Sequence, residues 1–128
     1  MKLNKKQEAQ LMNRSKGIAK PLVSGSYLVE IAEHYLSENN ILQPFLQCER
    51  VSLGLSLRLT EMGIENRIVV ADVDMEYYAG DIKDWMNFDV IEHHFIKVGS
   101  KILDATAGQF KGMPKIYFGS CPLKFNCR

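Results

Sequence analysis

The sequence predicts an α+β fold, helices first and an antiparallel sheet after them, on three observations. Apolar residues in the first half recur at helical spacing. Residues 67–73, RIVVADV, form a β-branched run suited to a buried strand. Residues 91–110, IEHHFIKVGSKILDATAGQF, place two apolar-rich runs on either side of Gly99-Ser100, the signature of a tight hairpin.

A chain of 128 residues suits one domain with its own core, residues 1–20 forming a peripheral helix or arm. The net charge is +1 and no basic run exceeds Lys5-Lys6, so neither nucleic acid nor an anionic membrane surface finds an electrostatic footing. No apolar run is long enough to span a bilayer, and the opening MKLNKKQEAQLMNRSKG lacks the apolar centre of a signal peptide. The expected location is the cytoplasm, or the outside by a route that needs no classical signal. Three cysteines are an odd number, which argues against a disulfide scaffold; Cys121 and Cys127 could pair and leave Cys48 free.

Taken in order, residues 4–15 read as a polar helix or arm ending at Gly17, with Pro21 blocking continuation. Ser24-Gly25-Ser26 supplies N-cap candidates for a helix over 27–36, whose apolar positions Leu28, Ile31, Ala32, Tyr35 and Leu36 follow the helical period. His34 falls on its surface. Residues 51–60, VSLGLSLRLT, send two signals at once. Strict alternation argues strand, whereas Gly63-Ile64 has the form of a helix C-terminus and Val51, Leu55 and Leu59 stack one turn apart. A mostly buried central helix beginning near Gln47 satisfies both, with small Ser52, Gly54 and Ser56 allowing close approach. Residues 77–89 read as an aromatic and acidic loop with one helical turn, and residues 116–118 as a last short strand.

The hairpin carries the chemistry. Side chains alternate faces, so His93 and Phe95 share one face of the first strand (92–98), and His94 and Ile96 the other. Turning back at Gly99-Ser100 sets Val98 opposite Lys101 and Phe95 opposite Asp104 in the second strand (101–106). Asp104 thus joins the His93 face, within diagonal reach of that imidazole. A thiol attacks carbonyls as thiolate, a state favoured by a helix N-terminus and a neighbouring imidazolium. Cys48 at the first turn of the central helix is the matching nucleophile, His93 the general base, Asp104 its orienter and His94 the alternative base. A metal site of His93, His94 and Asp104 is opposed by the opposite directions of adjacent strand residues, so no metal or cofactor is expected.

Here the sequence resembles a known family. Cys48, Ser52, the leucine-rich run and Gly63-Ile64 look like the nucleophile helix of transglutaminase-like, papain-like cysteine enzymes. The run from His93 to Val98 is similar to their H-x-aromatic-[IV]-x-V strand. Residues 102–110, ILDATAGQF, look like their aspartate strand, in the form [IL]-D-x-T-x-x-Q-F of small bacterial and phage members. The resemblance spans residues 47–110 and its spacing also selects His93. It departs from the pattern in carrying Phe95 where members often have Trp. It implies thioester chemistry on an amide of a protein or peptide: glutamine deamidation or hydrolysis first, peptide cleavage or cross-linking as alternatives. The expected oxyanion donor is the backbone N–H of Cys48. Gln43 and Gln47 are side-chain candidates, though neither sits at the papain spacing. Tyr77, Tyr78 and Trp85 are the expected groove-lining aromatics. The rival classes are a binding domain that keeps the fold without catalysis and a metal-binding or interaction module.

Overall fold

The computed structural model describes residues 23–43, 45–82 and 86–127. Within them the order is α1 (Gly25–Glu38), α2 (Cys48–Glu61), β1 (Arg67–Asp74), β2 (Val90–Val98), β3 (Lys101–Asp104), β4 (Tyr117–Gly119) and β5 (Phe125–Cys127). The strands form one antiparallel sheet in the order β4-β3-β2-β1-β5, giving the expected α+β class. The helix or arm expected over 4–15 lies outside the described residues.

α1 starts where the serine cap placed it. Ser24 Oγ accepts the Tyr27 N–H at 3.2 Å. The helix ends at Asn39, and Asn40 turns into the left-handed region at φ 55°. The double signal at residues 51–60 resolves as helix. Val51, Leu55 and Leu59 form its buried stripe, and Gly63 at φ 76° lets the Ile64 N–H reach Leu59 O at 2.9 Å. The expectation of a mostly buried helix fails on its far side, where Leu53 and Leu57 are 55% and 58% exposed. Two residues of α-helix turn about 200°, so alternation that would build one face of a strand splits between opposite sides of a helix. Close approach does occur at Gly54, where a Cβ would stand only 1.7 Å from Tyr35 Oη.

β2 pairs with β1 along its full length, from Arg67↔Lys97 to Asp74↔Val90. β1 is buried only in its second half, at Ala71 and Val73; Arg67 and Ile68 are exposed. The buried half is the one that pairs with β5, a strand in a tail whose sequence showed no strand signal. The Cys121–Cys127 disulfide ties that tail, and Cys48 is the free thiol. Gly99 at φ 62° makes the hairpin turn, and the register Ile96↔Leu103, Lys97↔Ile102, Val98↔Lys101 is the expected one. β3, however, stops at Asp104 rather than at Thr106. The Asp104 carboxylate explains the stop. Its Oδ1 accepts the Thr106 N–H at 3.1 Å, turning the chain into the 3-10 turn Ala107–Gln109.

Both faces of the sheet are covered, by different material. Ile96 and Leu103 face α1 and α2, packing with Leu28, Ile31, Leu55 and Leu59. Phe95, Ile102 and Val73 point the other way into a second core closed by Tyr78, Met86, Phe110 and Phe125.

Candidate active site

The carbonyls of Glu92 and His94 leave β2 on the same edge as those of Ile96 and Val98, toward β3. Because β3 ends at Asp104, no strand meets them there. The start of α2 does. Ser52 Oγ donates to His94 O at 3.0 Å, and Cys48 Sγ lies 3.9 Å from Glu92 O. The start of α2 thus takes over the edge that β3 leaves open. A sulfur atom at an open edge, rather than over one face, can approach side chains on both faces of the strand.

It does so. His93 and His94 point to opposite faces, as alternation requires. His93 is fully buried, with its ring against Phe95, Phe110 and Phe125, and His94 is half-buried. Cys48 Sγ lies 3.9 Å from His94 Nδ1, and Cys48 also helps to raise the His93 pKa. Cys48 is the first residue of α2, where the unpaired N–H groups of the helix favour a negative charge.

His93 Nε2 and Asp104 Oδ2 are 2.5 Å apart, with both side chains at 0% exposure. Burial alone would push the imidazole down. The Asp104 carboxylate outweighs it through charge and hydrogen bond, Cys48 adds to the effect, and the ring rises from 6.5 to about 9. His93 is therefore held as imidazolium near neutral pH, its Nε2–H donating to Asp104.

Two neighbours complete the surroundings. Thr106 donates its backbone N–H, and its hydroxyl at 3.4 Å, to Asp104 Oδ1. Gln109, also fully buried, donates from Nε2 to Thr106 Oγ1 at 3.1 Å, and the same Nε2 stands 3.4 Å from His93 Nδ1. His93, Asp104, Thr106 and Gln109 close a ring of side chains. Sequence reading assigned roles to only two of the four. The signal for the others was present in the spacing D-x-T-x-x-Q, which a turn after Asp104 converts into a cluster. Ser52 enters the sequence reading through its small size and the family resemblance; its hydroxyl contact depends on an edge that no local pattern reveals.

The remaining expected residues scatter. Gln47 precedes α2 and makes no side-chain capping bond. Gln43 is exposed and lines a cavity of about 70 Å³ with Leu36, Ile41, Leu42, Ala105 and Lys115, so neither glutamine is brought onto the sulfur. Tyr78 does not line a groove. It is buried in the second core, edge-on to Phe45 and bridged to Phe110, because the chain there is pinned to the 3-10 turn by Ala79 N–H to Gln109 O at 2.7 Å. Tyr77 is half-buried beneath Lys124 Nζ, 5.4 Å from its ring centre. Trp85 lies outside the described residues. Among the described residues no three His, Cys, Asp or Glu side chains are grouped to hold a metal ion, and no helix is long and apolar enough to cross a membrane. No protein-family profile, curated protein or solved structure matches the chain.

Proposed function

We propose that the protein is a thiol-dependent acyl-transfer enzyme of the transglutaminase-like, papain-like kind, acting on an amide of a protein or peptide. The observation that carries this reading is the buried His93–Asp104 pair at 2.5 Å, set beside the one free cysteine at a helix N-terminus. A buried imidazolium–carboxylate pair is costly to build and adds little net stability over apolar packing. A thiol next to it gives the arrangement a use.

In this reading His93, as imidazolium, already carries the proton on Nδ1, the ring nitrogen not bonded to Asp104, and Cys48 reacts as the thiolate paired with it. The thiolate attacks the amide carbonyl carbon, and the backbone N–H of Cys48 stabilises the oxyanion. The C–N bond breaks as the amine or ammonia leaves with the proton from the imidazolium, and a thioester remains. Water then gives a proton to His93 and attacks the thioester. Its C–S bond breaks, the acid is released, and the thiolate stands again beside the imidazolium. The net change is amide plus water to acid plus amine. Deamidation of a protein glutamine is the first assignment within this reading, and cross-linking the alternative.

A specific contact favours a second assignment within the same chemistry, with His94 as the base: its Nδ1 lies 3.9 Å from the sulfur. Alkylation of Cys48 by iodoacetamide separates the two. His93→Ala is expected to slow it by about ten-fold or more and His94→Ala to slow it less. The reverse order transfers the role to His94, and indifference to both overturns the enzyme reading in favour of a binding domain. Mass spectrometry of candidate proteins incubated with wild type or Cys48→Ala reads the reaction itself, as Gln-to-Glu conversion, backbone cleavage or cross-links lost in the variant.

A further inference from the structure

Gln109, like Thr106, belongs to the buried ring without a role in the proposed chemistry, and its contacts are unusual. Its side chain is fully buried, yet Oε1 has no hydrogen-bond partner among the described residues. Its Nε2 faces both Thr106 Oγ1 and His93 Nδ1. A buried amide oxygen without a partner is costly, so its persistence calls for a cause.

The cause lies in the two protonation states of the ring. With Nε2–H given to Asp104, neutral His93 offers a lone pair at Nδ1, which the Gln109 N–H can meet. Imidazolium instead offers Nδ1–H, which faces the amide N–H donor to donor. A half-turn of the carboxamide exchanges its N and O with almost no other movement. Oε1 then accepts from Nδ1–H, and from the Thr106 hydroxyl when that proton leaves Asp104 Oδ1, while Nε2 takes the position Oε1 held. The residue cannot drift from this place. Its backbone carbonyl accepts the Ala79 N–H at 2.7 Å, and its N–H bonds Thr106 O at 3.2 Å.

We propose that Gln109 is a positioning residue for His93, its carboxamide presenting N–H to the neutral ring and C=O to the imidazolium, and so holding Nδ1 in place as its proton comes and goes. This rests on the reading of His93 as the proton carrier for Cys48. It adds that the carrier is a four-residue unit in which Thr106 links the two carbonyl-bearing partners. The contact at 3.4 Å is long for a hydrogen bond, which suits a partner that must release Nδ1 to the sulfur at each turnover.

The test uses the full chain with 15N-labelled histidine, reading each His93 ring nitrogen by NMR across pH, beside the alkylation rate of Cys48. Of the groups that act on the His93 ring, Asp104 from β3 and Cys48 from α2 are ionisable; Phe95, Phe110 and Phe125 are not. Gln109→Met keeps the bulk and removes both polar atoms; Gln109→Glu keeps only the acceptors. The midpoint of His93 is expected to fall in the Met variant and to rise in the Glu variant, by about one pH unit each. Alkylation should slow about five-fold or more with Met. A merely structural glutamine would lower the stability of the Met variant and leave the midpoint of the folded protein where it was; that result overturns the proposal. If the Met variant does not fold, Gln109→Asn, which keeps the amide and withdraws it from Nδ1, decides in its place: a lowered midpoint supports the contact and an unmoved one overturns it. Because the nitrogen signals need no turnover, they hold even if Cys48 proves to be no nucleophile. An unchanged alkylation rate with shifted midpoints would then count against the enzyme reading and leave the positioning contact standing.

Discussion

The two halves of β2 are built from the same kind of residues and live in different surroundings. Phe95–Val98 runs between β1 and β3, with Ile96 and Lys97 paired to a strand on both sides. Glu92–His94 has a strand on one side only, and the other edge belongs to the first turns of α2. Where both edges are strands, the side chains are ordinary core: Phe95 below, Ile96 above. Where a helix replaces a strand, one edge becomes a junction at which a helix N-terminus, a thiol and two imidazoles meet. A polar site in a small sheet thus arises from a missing pair of residues in β3, and the Asp104 turn that ends β3 also supplies the carboxylate.

That contrast can be tested from its largest consequence downward. Asp104→Leu should cost roughly 3–5 kcal/mol in urea unfolding, because it leaves an imidazole buried without its counter-charge and removes the bond that turns the chain. A loss below about 1 kcal/mol would mean that the pair is solvated after all. The next effect is one of pH. His93 is raised from 6.5 to about 9, so the stability it contributes is complete below about pH 6.5 and is lost as pH rises through 9. Urea midpoints should therefore fall over that window in wild type and stay flat in Asp104→Asn. Ser52→Ala should cost about 1 kcal/mol, since it strips the partner from the His94 carbonyl. Hydrogen exchange should quicken at the start of β2 and not near Gly99. Smallest of all, Leu57→Ala on the open side of α2 should change stability by less than about 0.5 kcal/mol, whereas a larger loss would show that this face is covered in solution.

Much of this was legible in the residues. The hairpin register followed from Gly99 and the alternation around it, and with it the placement of Asp104 on the His93 face. The end of α2 followed from Gly63 and Ile64, and the cap of α1 from Ser24. These are short-range matters, decided by φ preferences and by spacing within a dozen residues. What escaped the reading was long-range or depended on a partner. β5 has no strand signal in its own residues and forms because β1 offers Ala71–Val73 an open edge. Tyr78 looked like a groove aromatic and is core, since the 3-10 turn after Asp104 reaches back to bond Ala79. Leu53 and Leu57 looked buried because the alternation that contains them serves a strand better than the helix they occupy.

By itself, the sequence determined which residues could act together: a cysteine at a helix start, a histidine and an aspartate facing the same way on paired strands. Those relations are set by local geometry and survive in any packing of the elements. Only the tertiary structure decided that the sulfur stands at the β2 edge between two imidazoles rather than over one, and that Gln109 faces Nδ1. Both depend on where β3 stops and what fills the gap, and a gap in a sheet is a property of two strands and a helix together. No single stretch of chain carries it.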